Sequence, residues 1–247
     1  MPYKRVISLV PSLTELLIDF GLKDRLVGRT KFCIHPKEIV SDLQPIGGTK
    51  NPNIQKILSL KPDLIITNKE ENRKEDVIEL SKHCEVVLTE IDTIEEALQW
   101  ISKLGNKLEV DEEALQLITE IQKLIPSSIE FQNIRTAYFI WKDPWMTIGS
   151  DTYIHNVMKY FGLKNVYGEQ SRYPETDFEE LHTLNPELIL LSSEPYPFKQ
   201  KHILELKTIC PDSTILLVNG EWFSWYGSRM VVALKELLNW RKQYHLK

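Results

Sequence analysis

One stretch of this chain occurs twice. Leu58 to Glu70, LSLKPDLIITNKE, is matched around Pro62 and Pro186 by LHTLNPELILLSSE from Leu181 to Glu194, so that the two prolines stand 124 positions apart. A second pair, Phe20-Gly21-Leu22 and Phe161-Gly162-Leu163, stands 141 positions apart, which means the intervening loops differ in length. An internal repeat commits a chain to structurally related halves. Each copy reads as the end of a helix, a proline, then a short apolar run of the kind that forms a strand buried on both faces of a parallel sheet.

The same grammar extends over the whole sequence. Arg5–Val10 reads as a strand closed by Pro11, and Ser12 with Glu15 as a capping box for a helix that turns Leu13, Leu16, Leu17 and Phe20 inward and ends at Gly21. Leu26–Gly28 is a strand candidate, Asn51 with Pro52 a helix start, Pro62–Thr67 a buried strand, and the charged run from Asn68 to Asp76 the beginning of a helix. Glu85–Leu88 is a strand; Thr93 with Glu96 caps a helix carrying Ile94, Leu98, Ile101 and Leu104, with Gly105 as its terminator. Asp111–Ile125 then places Leu115, Ile118, Ile121 and Ile125 on one helical face before Pro126. In the second half, Thr136–Trp141, Pro186–Leu191 and Thr214–Val218 are strands, Ser150 and Thr176 are caps, and helices run over Lys201–Cys210 and Met230–Tyr244. Short β runs alternating with helices imply parallel sheets.

Composition narrows the function. A net charge of −5 with 26% charged residues leaves no basic footprint, so nucleic acid is not an expected partner. No apolar run reaches the ~18 residues of a membrane span, and none resembles a signal peptide, which on its own would place the chain in the cytoplasm if Met1 is the natural start. The three cysteines, Cys33, Cys84 and Cys210, form no disulfide framework.

Open α/β lobes take ligands beyond the carboxyl ends of their strands, so two such lobes predict a site in the cleft between them. Trp141, Trp145, Tyr173, Tyr196, Trp222 and Trp225 fall mostly on loops after strands, where flat aromatic faces bury and stack large planar ligands; packing of a lobe core is the competing role. Arg229 stands at a helix start, where the peptide dipole disfavours a cation without a partner, and it joins Lys31 as a candidate for ligand carboxylates or phosphates. Cys33 and His35, two residues apart, could ligate a metal or the metal of a bound macrocycle, but two ligands do not make a structural zinc site. There is no glycine-rich phosphate loop, HExxH or GxSxG, and no residue is assigned a catalytic role.

SLVPSLTELL, NPNIQKILSLKPDLII, the Asp111–Ile125 helix, MTIGSDTYIHNVMKYFGLKNVY and EWFSWYGSRM together resemble the helical-backbone (class III) substrate-binding proteins of ABC importers. These receptors bind cobalamin, haem or ferric siderophores, and the cobalamin-binding branch is the nearest in motif. The resemblance implies an α/β fold of two βα lobes with parallel sheets, residues 1–110 and 127–247, joined by one rigid backbone helix, 111–126. It implies capture of a corrinoid first, with haem or a ferric siderophore next, by a monomer that requires no cofactor and meets the importer's membrane subunits if exported. Localisation would then be periplasmic or cell-surface. Trp222 stands at a corrinoid-contacting position and Tyr173 at an aromatic position of the second lobe, while Asn68 replaces a first-lobe tryptophan. Importer-docking carboxylates would be one of Glu70, Glu71 and Glu75, and Glu194. The other readings are an enzyme on the same scaffold and a cytoplasmic corrinoid or haem carrier or sensor.

Overall fold

The computed structural model describes residues 3–127 and 131–243; Met1 and Tyr244 of the sequence reading lie outside them. The chain forms two compact units: the first comprises 1–91, 95–122 and 226–230, the second 92–94, 123–225 and 231–247.

In the first unit, β1 (Val6–Ser8), β2 (Leu26–Arg29), β3 (Leu64–Asn68) and β4 (Glu85–Thr89) make a parallel sheet of order β2-β1-β3-β4. Its helices are α1 (Pro11–Asp19), α2 (Lys37–Val40), α3 (Ile54–Ser59), α4 (Lys74–Ser81), α5 (Ile94–Leu108) and α6 (Asp111–Gln122), the first residue of α5 belonging to the second unit. In the second unit, β5 (Ile134–Phe139), β6 (Leu163–Asn165), β7 (Leu188–Ser192) and β8 (Thr214–Val218) repeat the order as β6-β5-β7-β8, again parallel. There the helices are α7 (Tyr153–Tyr160), α8 (Phe178–Leu184), α9 (Gln200–Ile209), α10 (Glu221–Ser224) and α11 (Arg229–Gln243), whose first two residues belong to the first unit. The expected fold class, α/β with a parallel sheet in each of two units, is what the chain adopts.

The repeat has a backbone cause. Lys61 and Asn185, the residues before Pro62 and Pro186, both take left-handed dihedrals, at φ 48° and 43°. Each stops its helix, and each is followed by a strand with every residue buried: β3 and β7. Gly21 and Gly162 likewise sit at φ 74° and 64°, a conformation that glycine adopts without a Cβ penalty, and each ends a helix before the chain enters the next element.

Several expected boundaries move. Pro11 does not close a strand but opens α1 at its first turn, with Val10 as N-cap, so Ser12 lies inside the helix as its second residue rather than at the cap. The caps of α3, α7 and α8 are Asn53, Thr152 and Asp177 rather than Asn51, Ser150 and Thr176; each accepts the amide three residues on. The charged run reaches helix only at Lys74, since Asn68 and Asn72 hold the preceding residues in a turn. The helix expected to run from a Ser150 cap through FGLKN stops at Tyr160, and Leu163–Asn165 form the edge strand β6. Trp141 lies beyond β5, in a single bridge to Met146.

Gly105 does not terminate α5, which runs to Leu108. A Cβ there would come within 2.4 Å of the Ala114 Cβ, so glycine lets α6 cross α5 closely. The α6 helix ends at Gln122, and its buried residues are Ala114 and Ile121, whereas Leu115 is 66% exposed. Ile121 is buried and Ile118 and Ile125 are half-buried, as the spacing predicts, but the stripe begins at Ala114, against Gly105, rather than at Leu115.

Candidate functional site

The carboxyl ends of the second unit's strands carry the aromatic set. Beyond β5 the chain turns through Trp141 and Trp145, which part company. Trp141 is 39% exposed, its ring edge-on to Tyr196 at 5.5 Å. Trp145 is 9% exposed, stacked on Phe198 at 5.7 Å, edge-on to Phe139 at 5.2 Å and covered by the Lys142 ammonium at 5.0 Å. It is part of the core beneath the site. Beyond β8, α10 holds Trp222 and the C-cap Trp225 half-buried, while Phe223 between them packs on Tyr138 of β5 at 5.0 Å. The Trp225 indole donates to Glu194 Oε1 (2.8 Å). Beyond β6, Tyr173 is half-buried with the Arg172 guanidinium 5.5 Å over its ring.

The first unit presents a more polar edge. Asn68 is fully buried: its Oδ1 accepts from the Glu70 amide (2.8 Å) and the Glu71 amide (3.3 Å), and its Nδ2 donates to Thr89 Oγ1 (3.1 Å). The side chain therefore caps its own turn. Lys31 is exposed over the Phe32 ring at 4.9 Å. Cys33 is 2% exposed, its sulfur between the Thr14 and Thr30 hydroxyls at 3.2 and 3.3 Å. Among the described residues no three histidines, cysteines or carboxylates gather to hold a metal. Glu75 is exposed on α4, and Glu70 and Glu71 are half-exposed. Phe32 and Ile34, each 48% exposed on the loop after β2, flank the buried Cys33 in an alternation that the sequence carries and that adds them to the candidate residues of this edge.

Arg229 meets the partner its position demanded. Its Nε donates to Glu15 Oε2 at 2.9 Å and an Nη to Glu15 Oε1, closing a bidentate pair within the first unit. Both side chains are largely buried, at 16% and 11% exposure. Burial pushes the Glu15 carboxyl above its ordinary 4.5, and the guanidinium opposes that shift.

Behind the aromatic edge, His202 is buried on α9. Its Nδ1 accepts the Lys199 amide at 2.9 Å, and Nε2 lies 3.5 Å from the Tyr196 hydroxyl. Burial, then the neighbouring Lys142 and Lys201, hold it below the ordinary 6.5. The unfolded chain thus takes up this proton first as pH falls, so stability should decline below about pH 6.5. Thermal unfolding midpoints across that range should show the decline, and His202→Gln should flatten it. An unchanged slope in that variant would contradict this role.

Two α/β units with parallel sheets of matching order each carry loops at their strands' carboxyl ends, the edge at which open α/β sheets take ligands. The chain belongs to the periplasmic binding protein family, whose pattern it matches over residues 6–208. This is a family of substrate-binding transport proteins. The chain is 24% identical to the vitamin B12-binding protein of Vibrio cholerae across 98% of its own length and 90% of that protein's. It is 28% identical to the ABC transporter substrate-binding lipoprotein YvrC of Bacillus subtilis across 76% of its length, and that match spans 63% of the lipoprotein. Among solved structures, the Vibrio cholerae vitamin B12 binding protein BtuF superposes with a TM-score of 0.83 over 98% of both chains at 23% identity. The Roseiflexus heme-binding protein RhuT gives 0.84 over 97% of this chain and 98% of its own, at 17% identity. Among the described residues no helix is long and apolar enough to cross a membrane.

Proposed function

We propose that this chain is a substrate-binding protein that captures a corrinoid, or failing that haem or a ferric siderophore, and delivers it to an ABC importer. One observation carries the reading: at the carboxyl edge of the second sheet, the half-buried Trp222 and Trp225 and the Trp141–Tyr196 pair offer flat apolar faces. Such faces suit a macrocycle. The relatives named for vitamin B12 and heme support the same class. Lys31 and Tyr173 are assigned to the ligand's periphery, whereas Trp145, Asn68 and Cys33 support the site from within, their polar or aromatic surfaces being taken up by neighbours. The Arg229 guanidinium is taken up by Glu15, so its part is to hold that largely buried pair together rather than to meet the ligand directly. The ligand passes unchanged, so no catalytic residue and no resident cofactor are assigned.

The working location is periplasmic or at the cell surface, as a monomer, with residues 111–126 linking lobes 1–110 and 127–247. Importer docking falls to surface carboxylates, with Glu75 the exposed one of the first unit's candidates, Glu70, Glu71 and Glu75. Glu194, the second unit's candidate, is half-buried.

Titration with cyanocobalamin, dicyanocobinamide, haemin and a ferric siderophore, followed by absorbance and tryptophan quenching, tests this. At least one should bind with Kd below roughly 10 µM, about −7 kcal/mol. Trp222→Ala should weaken that binding by about 30-fold, the loss expected for a central aromatic anchor, with an unchanged unfolding midpoint. If none of the four binds, the reading fails.

A further inference from the structure

One carboxylate ties together two loops of the second unit. The chain leaves β7 through Ser193 and Glu194, and leaves β8 through Asn219 and Gly220 into α10. Glu194 Oε1 accepts from Ser224 Oγ at 2.9 Å and from Trp225 Nε1 at 2.8 Å. The backbones are tied as well: the Gly220 amide donates to Ser193 Oγ at 3.0 Å, and Ser192 Oγ donates to the Glu194 carbonyl at 2.5 Å. A Cβ on Gly220 would stand 2.6 Å from Glu194 Cγ and 2.4 Å from Ser192 Oγ, so only glycine allows this approach.

The chemistry of the pair is directional. An indole N–H donates and cannot accept, so a single strong acceptor fixes which edge of the ring faces inward. An ionised acceptor makes that bond roughly twice as strong as a neutral one. Below the loop, Phe223 is fully buried against Tyr138, which anchors α10 from its other side. Trp225 and Trp222 are therefore presented from a short helix held at both its core face and its C-terminal end.

We propose that Glu194 is a positioning residue of the ligand site: it presets the Trp225 indole, and through α10 that of Trp222, in the orientation a planar ligand meets. This rests on the ligand-binding reading above. A ring already ordered before binding spares the cost of immobilising it, which for one side chain corresponds to about a tenfold change in Kd.

The test uses the full chain labelled with 5-fluorotryptophan, the Trp225 resonance being identified by its disappearance in Trp225→Phe. Cyanocobalamin and haemin are the probes, and Glu194→Met replaces Glu194→Ala if the alanine variant does not fold. In Glu194→Ala the Trp225 signal should broaden or split without ligand, and Kd should rise about tenfold. Glu194→Gln, which keeps an acceptor in place, should retain one sharp signal and lie within about threefold of the parent. On a Trp225→Phe background, Glu194→Ala should add no more than about threefold, because the indole bond is already gone and only the Ser224 bond to α10 is left to lose. An unchanged Trp225 signal in Glu194→Ala, or an undiminished tenfold loss on the Trp225→Phe background, overturns the proposal. A parent chain that binds neither probe while Glu194→Ala still disorders Trp225 overturns the cyanocobalamin and haemin assignment and leaves the positioning role standing.

Discussion

Arg229→Ala is expected to lower the free energy of unfolding by about 3 kcal/mol at neutral pH, the scale for removing one member of a largely buried, bidentate ion pair. The loss comes less from the missing attraction than from what is left behind. Glu15 sits on α1 at 11% side-chain exposure, and without the guanidinium its ionised form would be buried without its principal counter-charge. The pH dependence has a definite sign. Burial already raises the Glu15 pKa above 4.5, helped by Asp19 and opposed by Arg229 and His35; deleting Arg229 raises it further. A folded-state pKa raised above the unfolded value gives stability that is full below the unfolded pKa and lost as pH rises through the folded one. The variant should thus recover toward the parent as pH falls to about 4.5, where a protonated Glu15 needs no partner. Urea unfolding at both pH values measures the gap. A loss below about 1 kcal/mol at neutral pH, or a gap that does not narrow in acid, would contradict the account. Glu15→Leu combined with Arg229→Leu should restore most of the loss, since paired apolar replacements of buried ion pairs are often close to neutral.

Arg229 also shows where sequence reading stops. Its unfavourable place at a helix start announced that it needed a partner, but that partner lies 214 positions away and only the fold supplies it. The fold class itself was legible, because strands buried on both faces of a parallel sheet read as unbroken apolar runs and the two proline-anchored copies mark equivalent places. Cap positions slipped by one or two residues wherever several short polar side chains stood in line, as at Asn51 and Asn53 or Ser150 and Thr152. All of them suit a cap chemically, and tertiary contacts choose among them. The site was legible as a class of residue but not as a surface. Trp141 and Trp145 are four positions apart on one loop, yet one faces solvent and the other stacks on Phe198, which a sequence cannot separate without knowing the turn. Asn68 and Cys33 were named from motif and chemistry, and each proves occupied by neighbours distant in sequence: Thr89 for one, Thr14 for the other.

Gly105→Ala should destabilise the protein by about 2 kcal/mol, although alanine is the better helix former. In an exposed helix interior the same change would gain roughly 0.5–1 kcal/mol. Here the sign reverses, because the new methyl would stand 2.4 Å from the Ala114 Cβ and 3.2 Å from the Val110 carbonyl oxygen. Neither neighbour has a side chain that can swing aside: Ala114 is itself only a methyl, and the other contact is backbone. The helices α5 and α6 must separate, and forced overpacking of this kind costs about 1–3 kcal/mol. Their separation would also disturb Leu104 and Leu108, buried at 1% and 0%, on the same helix. Denaturant midpoints of the variant and the parent measure the effect. The companion variant is decisive. Ala114→Gly removes the opposing methyl, so Gly105→Ala on that background should cost far less than on the parent chain, and the two substitutions should be strongly non-additive. A Gly105→Ala chain as stable as the parent would show that α5 and α6 do not pack in the register described.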